Sequence, residues 1–170
     1  MQIPSFRSFQ VALLLLFAIL QPHNSTQGTV QKEKSMPAHA KGTFEVKITP
    51  MKPDGKYEND STMGRMTIDK QFQGDLDGTS TGQMLTGGAV QTGSGGYVAM
   101  EKVTGKLLGR NGTFIFQHNG TMDHGVPQLS VTVVPGSGTG ELEGITGKME
   151  IIITAGKHSY DFEYELPKAQ

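Results

Sequence analysis

Cysteine is absent from the 170 residues, and so is tryptophan. Without a thiol there is no disulfide, no cysteine nucleophile, no thiolate metal site and no lipid attachment at a cysteine. A chain exported without disulfides must rely on its own core. Strong charge is missing too: 15 Lys and Arg face 16 Asp and Glu, for a net charge of −1. No basic field is present to hold nucleic acid, and no charge block suits a polyelectrolyte partner. No His-x-His or His-Glu-x-x-His spacing occurs, and no calcium-loop spacing follows Asp75 and Asp77. His118 with Asp123-His124 falls short of a ligand set, so neither a metal nor a cofactor is expected. Helical periodicity is lacking as well once the N-terminal region is passed.

Glycine, by contrast, is abundant: 23 of 170 residues, about twice the ordinary usage. Together with many short alternating runs, this points to an all-β fold rich in turns. The densest stretch is residues 133–148, VVPGSGTGELEGITGK. A phosphate-cradling loop needs a helix after it, whose N-terminal N–H groups meet the anion. Here the sequel is Met149-Glu-Ile-Ile-Ile-Thr154, a β-branched run that reads as a strand. The glycines are therefore expected to bend the chain, not to hold a nucleotide.

The N-terminal region reads as a targeting signal. Residues 11–20, VALLLLFAIL, are uncharged and apolar, and Arg7 precedes them. The run is short for a bilayer span and has the length of a signal-peptide core, with cleavage near Thr26 or Gly28. The expected organisation is a signal peptide over 1–28, a flexible polar leader over 29–41 and a β-barrel domain over 42–170. The expected location is the periplasm or the medium, with no stable membrane span after cleavage. An uncleaved anchor is the alternative.

An internal repeat organises the rest. Residues 74–78, 105–109 and 140–144 all read Gly-x-Leu-x-Gly. The last two extend in parallel, with Gly112, Phe114 and Phe116 matching Gly147, Met149 and Ile151. A hairpin accounts for the pattern: the Leu plugs the core end and glycines take positive φ in the turn. Asn111-Gly112 is the strongest two-residue turn signal among them. Alternation then assigns faces. Phe44, Val46 and Ile48 share one; Met66, Ile68 and Phe72 share one with Lys70; Tyr97, Ala99 and Val103 share one with Glu101. Phe114 and Phe116 go with His118, while Leu129, Val131 and Val133 form another row, as do Tyr160, Phe162, Tyr164 and Leu166. Residues 82–96 resist reading and suggest a strand followed by a long loop. About eight hairpin-linked strands suit a single closed antiparallel barrel. A two-sheet sandwich is the alternative, since both bury one face.

The segments FQGDLDG (72–78), EKVTGKLLGRNGTFIFQHNGT (101–121) and VVPGSGTGELEGITG (133–147), with GTF at 42–44, resemble a bacterial domain-of-unknown-function family, number 3224. The resemblance implies the allene oxide cyclase-like eight-stranded barrel and supports barrel over sandwich. It implies no established activity.

Polar residues on apolar faces are the candidates for function. With Asn111-Gly112 as the loop, Glu101 and His118 face the same interior. The repeat puts Lys70 at the position equivalent to Glu101, and Tyr97 lies on the same face. Lys70, Tyr97, Glu101, Phe116 and His118 are thus the expected ligand-binding residues. The plainest reading is that Glu101 pairs with Lys70 or His118 and plugs the barrel, since buried charge must be paired. The second is a pocket in which these groups orient a small apolar ligand. The third is acid–base catalysis, with Glu101 as base and His118 as acid, of the isomerase or cyclase type that the resemblance to the cyclase-like barrel suggests. If the rings of Phe116 and Phe162 fill the lumen, a structural or assembly role is left. A homo-oligomer is compatible with all of these.

Overall fold

The computed structural model describes residues 37–52, 55–88 and 92–167. All of them lie in the second of two units into which the chain divides, Lys34–Gln170. The signal peptide expected over 1–28 lies outside the described residues.

Nine strands follow one another: β1 (Ala38–Met51), β2 (Met63–Gly74), β3 (Leu76–Gly87), β4 (Gly95–Leu107), β5 (Arg110–Asp123), β6 (Val126–Val133), β7 (Thr139–Gly140), β8 (Thr146–Thr154) and β9 (Lys157–Glu165). A short 3-10 turn, Gly55–Tyr57, lies between β1 and β2. Each strand pairs antiparallel with its neighbour, β4 joins β5, and β9 returns to β1. Eight strands thereby close a barrel, while the two-residue β7 lies outside it against β5. This is the expected barrel, not the sandwich. Its thinnest seam is between β6 and β8, whose register has one partner pair, Thr132 and Lys148.

β1 begins at Ala38 and Ala40 is fully buried, so residues 38–41, read as flexible leader, belong to the barrel. The alternation there is carried by small alanines and one glycine, too weak a hydrophobic signal to announce a strand.

The tight hairpins turn on residue pairs that both have positive φ: Leu108-Gly109 (48° and 86°), His124-Gly125 (48° and 84°) and Ala155-Gly156 (50° and 76°). These are the mirror-image turns that match strand twist. The β4–β5 turn is therefore Leu108-Gly109, not Asn111-Gly112. Asn111 is occupied otherwise: its N–H donates to Glu141 Oε2 (2.8 Å), and its carbonyl accepts from the N–H of Glu141 (2.9 Å). Gly112 pairs with Gly140, and a side chain there would run into the Thr139 carbonyl and Leu142. The corrected turn places Glu101 opposite Phe116, a slide of six residues from Met122. Because strand side chains alternate with period two, an even slide leaves every face unchanged.

The interior is filled at one end only. Phe72, Leu76, Val103, Leu107, Phe114, Phe116 and Phe162 are fully buried there. Residues 134–145, the glycine-rich stretch, fold beneath this end and add Leu142 and Ile145 to the core. Each Leu of the repeat (Leu76, Leu107, Leu142) is buried as the hairpin reading requires. A second, smaller apolar cluster of Ile68, Met84 and Ala99 sits toward the opposite end.

Candidate functional site

Between the two apolar clusters lies a polar layer. β3 makes room for it, because its inward positions carry small residues, Gly78, Ser80 and Gly82, where other strands carry rings. Gly82 faces Glu101 across the β3–β4 pairing, and a side chain at Gly82 would strike the Glu101 backbone. The Glu101 side chain crosses this gap toward β2.

Lys70, Ser80, Glu101 and His118 are the buried polar side chains among the described residues, and they form one group. Lys70 Nζ donates to Glu101 Oε2 at 2.8 Å. The hydroxyl of Ser80 donates to the other oxygen, Oε1. Nε2 of His118 also lies 2.8 Å from Oε2. That approach is out of line for a hydrogen bond. It leaves Nε2 the one buried side-chain polar atom, among the described residues, without a hydrogen-bond partner. The Lys70 ammonium lies over the rings of Phe44 (4.9 Å) and Phe72 (5.7 Å), which stabilise a cation.

Burial is the largest single influence on Glu101 and pushes its carboxyl pKa up. The neighbouring His118, the charge and hydrogen bond of Lys70, and Ser80 together outweigh it and bring the pKa down to about 2. The carboxylate is ionised at neutral pH and its charge is matched within the layer. Tyr97 sits nearby, its hydroxyl pKa raised by burial and then by the charge of Glu101. Its ring covers Gly120, the residue opposite it on β5.

Above the layer the barrel opens into a cavity of about 530 Å³. Val46, Ile48, Met66, Ile68, Met84 and Ile151 contribute to its apolar wall, and Lys70 and His118 reach it from the floor. Tyr97 and His158 also line it. Of the five residues singled out from sequence, the structure brings Lys70, Tyr97, Glu101 and His118 together. Glu101 is completely buried behind the floor and does not line the cavity. Phe116 does not either. It belongs to the filled end, edge-on beneath His118 with ring centres 6.4 Å apart.

Ser80 escaped the sequence reading. It shares a face with Leu76 and Met84, four residues away on either side, and that parity was the available signal. His158, packed on Phe44 at 5.1 Å, was also missed, although it shares the parity of Tyr160, Phe162 and Tyr164 on β9. No group of three or more acidic or histidine side chains that could hold a metal occurs among the described residues. No helix among them is long and apolar enough to cross a membrane.

A layer of this kind anchors and orients. It offers donors to the cavity while its one anion is enclosed. No curated protein matches the chain. A crystal structure of a protein of unknown function from the DUF3224 family of Shewanella oneidensis MR-1 is 42% identical. It superposes with a TM-score of 0.71 over 78% of this chain and 99% of that one. The family model described as protein of unknown function (DUF3224) matches residues 40–164, from the first buried residue of β1 to the last buried residue of β9. With the family model and the 42% identical structure in agreement, the chain belongs to the DUF3224 family.

Proposed function

We propose that the barrel holds a small hydrophobic molecule in its open end, in a chain exported to the periplasm or the medium. The observation that carries this reading is the cavity of about 530 Å³, apolar in its walls and polar at its floor. Ligand pockets commonly combine that size with a few convergent polar groups. An inward-facing apolar wall left in water is also unfavourable, and a bound apolar molecule removes that cost. Ile48 and Ile153 line the cavity yet are 50% and 64% exposed.

An isomerase- or cyclase-type enzyme, the alternative reading, would use Glu101 as base and His118 as acid. Glu101 has neither oxygen free and no surface in the cavity. A carboxyl with a pKa of about 2 is also a weak proton acceptor near neutral pH. Both points favour binding over acid–base chemistry at this floor.

Native mass spectrometry of the protein purified from its own host tests the reading, alongside binding of the neutral fluorophore 1-aminoanthracene. A retained small molecule or bound fluorophore is expected. Thr86→Trp, which fills the cavity wall, should abolish either with little change in melting temperature. Absence of both from the wild-type protein rejects the binding role. Export rests on the apolar run at 11–20. N-terminal sequencing of exported protein should begin near Thr29, whereas Met1 on a membrane-bound form rejects cleavage.

A further inference from the structure

At the cavity floor, Lys70 and His118 carry hydrogen-bonding capacity that no protein acceptor takes up. An ammonium group carries three N–H donors. Lys70 directs one at Glu101, and its other neighbours are the faces of Phe44 and Phe72. His118 Nε2 lacks an aligned partner although it is buried. On the acceptor side, Glu101 Oε2 already serves Lys70 and lies against His118, while Oε1 serves Ser80. Among the described residues, Lys70 is the one charged side chain in the cavity lining. Lys70, His118 and His158 line it, and no aspartate or glutamate does.

A buried donor without an acceptor is costly, and a charged one more so. A ligand that brought further donors would worsen the mismatch. One that brought an anionic, acceptor-only head would relieve it, because a carboxylate accepts several hydrogen bonds and donates none. Walls of Val, Ile and Met ask for an aliphatic or aromatic body behind that head.

We infer that this cavity selects small apolar molecules carrying a single carboxylate, seated head-down with the carboxylate on Lys70 and His118. This rests on the binding role proposed above and specifies its ligand class. Glu101 is then a positioning residue: it holds Lys70 in place and never meets the ligand.

Isothermal titration calorimetry of the full-length wild-type protein with three probes of equal chain length tests this: decanoate, 1-decanol and decylammonium. Decanoate should bind at least about tenfold more tightly than decanol, as expected for one charge-assisted hydrogen bond, and decylammonium should bind weakest. Lys70→Met should remove the decanoate preference, lowering decanoate affinity far more than decanol affinity. Because Lys70→Met strands Glu101, the double variant Lys70→Met/Glu101→Leu provides the same comparison in a charge-free floor. Equal affinities for decanoate and decanol in the wild type, or a decanoate preference surviving in the double variant, would overturn the head-group assignment and leave the binding role standing. If none of the three binds, this inference falls, and the binding role falls with it where 1-aminoanthracene and a retained molecule are absent as well.

Discussion

At the closed end of the barrel Phe114, Phe116 and Phe162 interlock with ring centres 4.9 to 5.7 Å apart, and Leu142 and Ile145 cover them from beneath. At the mouth the same alternating strands present Ile48, Met66, Thr86 and Ile153 to an unfilled space. Both ends follow one inside–outside pattern. They differ in two physical respects: the size of the inward side chains, and the extra segment 134–145 that packs across one end. Alternation alone thus makes either a core or a cavity. Coverage and volume decide which, and the Lys70–Glu101–His118 layer marks the boundary.

The sharpest way to break that comparison is to remove volume at each end. Phe116→Ala and Phe162→Ala should each cost about 3–5 kcal/mol by leaving cavities in a packed core. Ile153→Ala, 64% exposed at the mouth, should stay within about 0.5 kcal/mol. Urea unfolding measures both, and similar losses at the two ends would erase the distinction.

The boundary layer comes next. Glu101→Gln removes the charge that balances Lys70 in a dry site, at an expected cost of about 3–5 kcal/mol. Replacing both partners by Lys70→Met/Glu101→Leu should be nearly neutral, or stabilising by about 1–4 kcal/mol. A loss below about 1 kcal/mol for Glu101→Gln would mean that the layer behaves as a wet surface pair.

The same carboxyl dictates an acid response. Its folded pKa of about 2 lies below the ordinary 4.5, so the folded state holds fewer protons on it than the unfolded state. Its contribution to stability is fully present above pH 4.5 and is lost as pH falls toward 2. Stability measured across this window should fall more steeply in the wild type than in Lys70→Met/Glu101→Leu. Parallel curves would remove Glu101 from the account.

Smaller effects probe how the closed end is covered. Gly112→Ala pushes a methyl group into Thr139 and Leu142 and should cost about 1–3 kcal/mol as segment 134–145 shifts. An unchanged denaturation midpoint would show that this segment yields freely. The smallest change should be a gain. Leu108→Asn places a residue tolerant of left-handed backbone at φ 48° and should add about 1 kcal/mol. A loss there would mean that the half-exposed Leu108 side chain packs usefully.

The inward row was legible in the sequence even though the turn that organised it was not. Asn111-Gly112 has the better turn chemistry, but Asn111 and Gly112 are committed to β7 and Glu141, and the chain turns at Leu108-Gly109. Local propensity lost to a tertiary contact. Glu101 and His118 stayed on the inner face because period-two alternation survives an even slide. Lys70 was placed by the repeat and indeed meets Glu101 at 2.8 Å. The inward position of Ser80 was hidden in a polar stretch, where alternation between Thr, Ser and Gly carries almost no hydrophobic contrast.

What the sequence determined by itself is therefore face and class: alternation and turn glycines, acting through neighbours along the chain, specify an all-β fold and put Lys70, Glu101 and His118 inside it. Tertiary structure alone decided depth. Whether an inward residue is sealed like Phe116, enclosed like Glu101 or presented to a cavity like His118 depends on strands brought together around the barrel. It depends equally on segment 134–145 closing one end and leaving the other open. Those are contacts between distant residues, set by shape and volume, for which a period along one strand carries no signal.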